Sequence, residues 1–177
     1  MSGNSTRLAV GVGVSAADAF TAGWLILTFL MGVVLGTITR DVAGRWHQVA
    51  VLTAVTLLLA LAAIAGHAGH RVLAVFATAI AMGNVNSLFD SGGRDTMGAL
   101  TYMTGAIVKT GQYIAEALMG GDRWAWLPYF GRWAGLVSGA ILGSVVYTRI
   151  GLAALWFPAI ATGLLALFAV TRIPPPE

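Results

Sequence analysis

Between Asp18 and Arg40 the chain carries no charged side chain, and the same holds between Arg45 and Arg71, Arg71 and Asp90, Arg132 and Arg149, and Arg149 and Arg172. A hydrocarbon layer of about 30 Å is crossed by roughly 20 apolar residues when each adds about 1.5 Å of α-helix. Each gap is therefore a candidate span. A soluble globule is excluded on the same grounds: 58% of the 177 residues are hydrophobic and 10% charged, and the mean hydropathy is +0.82, too little polar surface to coat a water-exposed fold.

The expected fold is all-α, a polytopic transmembrane helical bundle. Helices are expected over about 2–17, 20–39, 46–64, 71–89, 97–119, 128–148 and 151–170, separated by charge- and glycine-bearing connections such as 40–45, 66–71 and 120–123. The last six would span, and the first is short. The tail at 174–177 contains consecutive prolines and is expected to lie outside any helix. A rival reading makes the first segment a signal peptide, with Arg7 as its basic region and Ser15-Ala16-Ala17 as the cleavage site before Asp18.

The heptapeptide MSGNSTR at 1–7 returns as MTGAIVK at 103–109, each with a cation six residues after the Met. Glycine-spaced helices follow both copies, with Gly32 and Gly36 after the first and Gly139 and Gly143 after the second. An internal repeat is therefore expected, with an incomplete first unit at 1–69 and a second at 70–173. If the unit has four helices, the repeat is parallel, its axis lies along the membrane normal, and the connections after the second, fourth and sixth helices share one side. The counterpart of the fourth helix would precede the first, so a leading helix is absent from the first unit.

Net charge is +3, but the basic residues are scattered singly, so nucleic acid is not an expected partner. There is no cysteine, which excludes disulfides and thiolate chemistry. No nucleophile elbow, phosphate loop or HExxH motif occurs, and enzyme activity is not expected. His67 and His70 lack a nearby third ligand and read as interfacial, so no metal and no cofactor is expected. Trp24, Trp46, Trp124, Trp126, Trp133 and Trp156 fall near helix ends, as interfacial anchors do.

The polar stretch 83–105 interrupts apolar sequence at membrane depth. Asn84 and Asn86 end the fourth helix, and Thr101 and Thr104 open the fifth. Amides and hydroxyls in lipid face other helices or a wet cavity. They either bind a ligand or hold helices together. Farther along the fifth helix, Thr101, Thr104, Lys109, Gln112 and Glu116 fall within a sector about 140° wide. Lys109 and Glu116 are either partnered inside the bundle or placed to snorkel.

Several of these residues also carry a family resemblance. Gly83 and Asn86 in AMGNVNSLF, Thr101, Thr104 and Gly105 in LTYMTGAIVKTGQ, and Met1-Ser2-Gly3-Asn4 resemble the motifs of the YoaK-like family of bacterial inner-membrane proteins, whose biochemical role is undefined. Val85 stands where that family usually has Gln, and the family's first helix, with its intramembrane Asp, has no counterpart here. The resemblance implies a multi-pass location in the cell inner (plasma) membrane.

The functional expectation is a small-solute permease or transporter subunit of unknown substrate. Asn84, Asn86, Thr101 and Thr104 would hydrogen-bond the solute, Arg7 and Lys109 would attract an anionic group, and Glu116 would serve proton coupling. The alternative is a non-transporting scaffold or accessory subunit. Expected partners are the lipid bilayer, a small-molecule substrate and further copies of the chain as a homo-oligomer. Basic residues do not fix the orientation, because they divide evenly between the two expected sides.

Overall fold

Ser15 stands in an extended conformation (φ −153°, ψ 102°), and its Oγ accepts the backbone N–H of Asp18 at 3.4 Å. That cap ends one helix and starts the next, and Asp18 in the first turn favours the positive end of the helix dipole. The small residues that could have formed a cleavage site are thus a helix start. The computed structural model describes residues 1–88 and 102–172, and all of these that form regular structure are helical. The helices are α1 (Ser2–Val14), α2 (Ala16–Ala43), α3 (His47–His67), α4 (Arg71–Asn84), α5 (Met103–Leu118), α6 (Leu127–Ile150) and α7 (Trp156–Val170). Short 3-10 turns occupy Gly44–Trp46 before α3, Val85–Leu88 after α4 and Gly151–Leu155 before α7.

Among the described residues, three continuous helical stretches are long and apolar enough to cross a membrane: Ala16–His67, Arg71–Leu88 and Leu127–Val170. The first is 52 residues long, about 78 Å if it were straight, and it turns at Gly44, where φ is +52° and ψ −120°. Only glycine enters that region without strain. Gly151, at φ +60°, makes the corresponding turn between α6 and α7. Gly44→Ala and Gly151→Ala should each cost about 1–3 kcal/mol, read as a lower melting temperature in detergent. Gly13→Ala serves as the control, because a Cβ there meets nothing within 4 Å.

The chain forms two compact units, one from Met1–Leu88 with Ile150–Glu177 and the other from Phe89–Arg149. In the first, small side chains fill the interior: Ala22, Ala62, Ala63 and Ala74 are fully buried, and Val51 is the largest side chain so enclosed. The large apolar residues point outward instead, among them Val12, Phe20, Leu57 and Leu164. A soluble protein has the opposite arrangement. Lipid removes any hydrophobic incentive to bury leucine, so helices associate through small residues that allow close approach.

Contacts set the helix directions in this unit. Gly11 on α1 lies against Ala19 on α2, and Leu8 lies near Gly23, so the two are antiparallel. Gly32 meets Ile80 and Gly36 meets Asn84, so α2 and α4 run parallel. Val51, Val55 and Leu59 pack with Ala81, while Ala62 and Ala65 pack with Ala74 and Ala77, which makes α3 antiparallel to α4. Gly66 faces Leu152 and Thr56 Oγ1 donates to Thr162 Oγ1 at 3.0 Å, which makes α7 antiparallel to α3.

That last direction corrects the topology expected from sequence. Strict alternation of spans makes the third and seventh helices parallel and puts the turns at Gly44 and Gly151 on one side. In the structure these turns lie at opposite ends of the bundle, since Gly151 is beside the Gly66 end of α3. Within this first unit, Leu88 lies toward the Gly44 end of α3 and Leu152 toward the Gly66 end.

In the second unit, the Tyr113 ring on α5 stacks on Tyr129 on α6 with centroids 5.0 Å apart. Trp126, Phe130 and Trp133 continue a ring ladder along α6. A Cβ on Gly135, Gly139 or Gly143 meets nothing within 4 Å, so the second glycine ridge has no packing partner among the described residues, unlike the first.

Candidate functional site

Thr28, Gly32, Gly36 and Arg40 recur every four residues on α2 and so share one face. The buried part of this face meets α4 with almost no side chain between the backbones. A Cβ on Gly32 would collide with the Ile80 carbonyl oxygen and stand 2.9 Å from its carbon, and one on Gly83 would collide with the Phe29 carbonyl oxygen and stand 2.9 Å from the Val33 nitrogen. At Gly36 the space for a Cβ is lined by three oxygens: Asn84 Oδ1 at 2.7 Å, Ser87 Oγ at 2.7 Å and the Asn84 carbonyl at 2.8 Å.

Asn84 is the last α-helical residue of α4, and the chain tightens to 3-10 geometry directly after it. The tightening turns local polar groups onto the chain itself. Ser87 Oγ donates to the Asn84 carbonyl at 2.7 Å, and Asn86 Nδ2 donates to the Met82 and Gly83 carbonyls at 2.7 and 3.4 Å. Asn84 is left out: it is 3% exposed, and its buried Oδ1 has no hydrogen-bond partner. One turn beyond Gly36, Arg40 pairs its Nε with Asp41 Oδ1 at 2.9 Å. Because Arg40 lies in the last turn of α2, its charge also lies at the favourable end of the helix dipole.

Of the residues expected to bind solute, the structure therefore brings Asn84 and Asn86 to the end of α4, but with different roles, since Asn86 is turned back onto its own helix. Arg7 is exposed on α1, 3.7 Å from the exposed Asp18. Asp18 and Gly36 are separated along α2 by about 27 Å, which places Arg7 toward the other end of the bundle from Asn84. Thr104, in the first turn of α5, is exposed. So are Lys109, whose ammonium lies 5.9 Å from the Tyr113 ring centre, and Glu116. Thr101 lies outside the described residues. No cluster of three or more potential metal ligands occurs among the described residues.

Gly36, Ser87 and Arg40 were not singled out as site residues from sequence. The four-residue interval from Gly36 to Arg40 and the three-residue interval from Asn84 to Ser87 were visible signals. What sequence did not provide was the pairing of α2 with α4, two helices that are not consecutive.

The arrangement has an extended match among known proteins. A family described as a protein of unknown function, DUF1275, matches residues 1–168. The chain belongs to this family. A relative in Rhizobium meliloti (strain 1021), the UPF0700 transmembrane protein RA0705, is 34% identical over 175 residues, which cover 97% of this chain and 75% of the relative. No solved structure matches. The DUF1275 chain is accordingly a multi-helix transmembrane protein, in keeping with its small-residue interior and lipid-facing leucines, and it belongs to a family of undefined function, as the motifs at 83–86 and 101–105 had implied.

Proposed function

We propose that this DUF1275 protein is a small-solute permease of the inner membrane, and that the end of α4 around Asn84 holds the solute. The observation that carries the proposal is the unpartnered Asn84 carboxamide, buried beside a change of helix type. An unmet buried hydrogen-bonding group costs about 1–3 kcal/mol in proteins. Polar groups kept at depth in a membrane are costly and face partners or a wet cavity, and interrupted helices frame the solute sites of many transporters. Among the described residues, the groups beside Asn84, a hydroxyl and backbone carbonyls, are neutral, which suits an uncharged polar solute.

A non-transporting scaffold is the second reading. The backbone contact of α2 with α4 through Gly32 and Gly83 favours it, since such contacts are a general means of helix association. Stopped-flow light scattering on proteoliposomes separates the two. A permease accelerates swelling in inward gradients of urea or glycerol above that of protein-free liposomes, whereas a scaffold leaves both rates unchanged.

A further inference from the structure

We infer that the chain arose by an inverted duplication, in which α3 and α7, each with the turn that opens it, are equivalent and are related by a two-fold axis in the plane of the membrane that passes between them at Thr56 and Gly163. The glycines provide the register. Gly32, Gly36 and Gly44 are followed, at one constant interval, by Gly139, Gly143 and Gly151. The last pair shares its conformation as well as its place: φ is +52° at Gly44 and +60° at Gly151, and each opens a 3-10 turn that leads into a helix, α3 in one case and α7 in the other.

The same interval carries Thr56 onto Gly163, and these two residues touch. A Cβ on Gly163 would lie 3.4 Å from Thr56 Cγ2, and the adjacent Thr162 accepts the Thr56 hydroxyl at 3.0 Å. A residue meets its own equivalent only close to a symmetry axis. Because α3 and α7 are antiparallel, that axis is perpendicular to them and therefore parallel to the bilayer. Around the contact, three equivalent pairs also agree in exposure: Leu57 and Leu164 face outward, as do Leu61 and Phe168, while Leu59 and Ala166 are both 7% exposed; farther from it the pairs diverge, Val51 being buried and Pro158 exposed.

A parallel duplication would make α3 and α7 run in one direction and could not place equivalent residues in contact in this antiparallel way. Its functional consequence rests on the permease proposal. Two halves related by an axis in the membrane plane can exchange conformations, which gives outward- and inward-facing states of similar energy. The seam between α3 and α7, with Thr56 and Thr162 at its centre, is then the pivot of that exchange.

The topology can be tested without any transport assay, so its failure is distinct from failure of the permease proposal. The chain has no cysteine. Arg45→Cys and Arg149→Cys, both at exposed positions, would be expressed singly in intact cells and treated with a membrane-impermeant maleimide before and after permeabilisation. One variant should label fully from outside and the other only after permeabilisation. Labelling of both from the same side would overturn the inference. Nitroxides at Leu61 and Phe168, read by oxygen and nickel-chelate accessibility, test the axis itself: the inference requires equal immersion depths. A difference of one helical turn or more, about 5.4 Å, would overturn it even if the two cysteines label from opposite sides.

Discussion

Gly32→Leu is expected to remove most of the folded, monodisperse protein recovered after detergent extraction. At this position a Cβ would enter the backbone of α4 at Ile80, standing 2.9 Å from both the Ile80 carbonyl carbon and its Cα. Overpacking a core by a few methylenes costs about 1–3 kcal/mol when side chains can shift. Here the obstacle is main chain, so α2 and α4 have to separate. Separation also breaks the contacts of Gly83 with Phe29 and Val33 and of Gly36 with Asn84 and Ser87, which makes the loss cooperative. Gly32→Ala should already lower the melting temperature, and Gly13→Ala, on an unobstructed face, should not. Wild-type recovery and melting for Gly32→Leu would mean that α2 and α4 are not in contact in the membrane.

The second large effect is expected at Asn84, with opposite signs in two measurements. Leucine matches the branched shape of asparagine closely and needs no hydrogen bond. In Asn84→Leu the unmet carboxamide is replaced by an apolar group, and stability should rise by about 1–3 kcal/mol. Solute permeation should fall to the protein-free rate. A purely structural asparagine would give a different pattern, because removing a hydrogen bond that holds helices together lowers stability by about 0.6 kcal/mol on average. A melting temperature that falls in Asn84→Leu would therefore assign the residue to helix packing. The pair at Thr56 and Thr162 is the reference for that behaviour: Thr56→Val should lower stability by about that amount.

The existence of the helices was legible because a charge is costly in hydrocarbon, so the intervals between charges mark the spans directly. Their ends were less so. The start of α2 lay in Ser15 and Asp18, a capping pair of which the sequence reading had put Ser15 inside the first helix and only Asp18 in a connection. The direction of α7 was missed for a different reason: alternation assumes that each apolar run crosses once, and only the contacts of Gly66 with Leu152 and of Thr56 with Thr162 show which way α7 runs beside α3. Gly32 and Gly36 were visible as a glycine pair four residues apart on one helix face. Their partner was not legible, because α4 is reached by skipping α3 and runs parallel to α2. Asn84 was visible as a polar residue at depth, but its isolation was not, since that depends on Asn86 and Ser87 turning back onto α4. Arg7 had appeared to belong with it through the repeated heptapeptide, yet its position along α1 places it toward the opposite end.

Solute permeation through purified, reconstituted protein tests the central claim most directly. Proteoliposomes containing the wild-type chain, Asn84→Leu or no protein would be mixed with inward gradients of urea and of glycerol, and swelling followed by stopped-flow light scattering. The account predicts faster swelling for the wild type with at least one of the two solutes, and a rate for Asn84→Leu equal to that of empty liposomes despite its higher melting temperature. Wild-type swelling at the empty-liposome rate with both solutes, or undiminished swelling in Asn84→Leu, would contradict it.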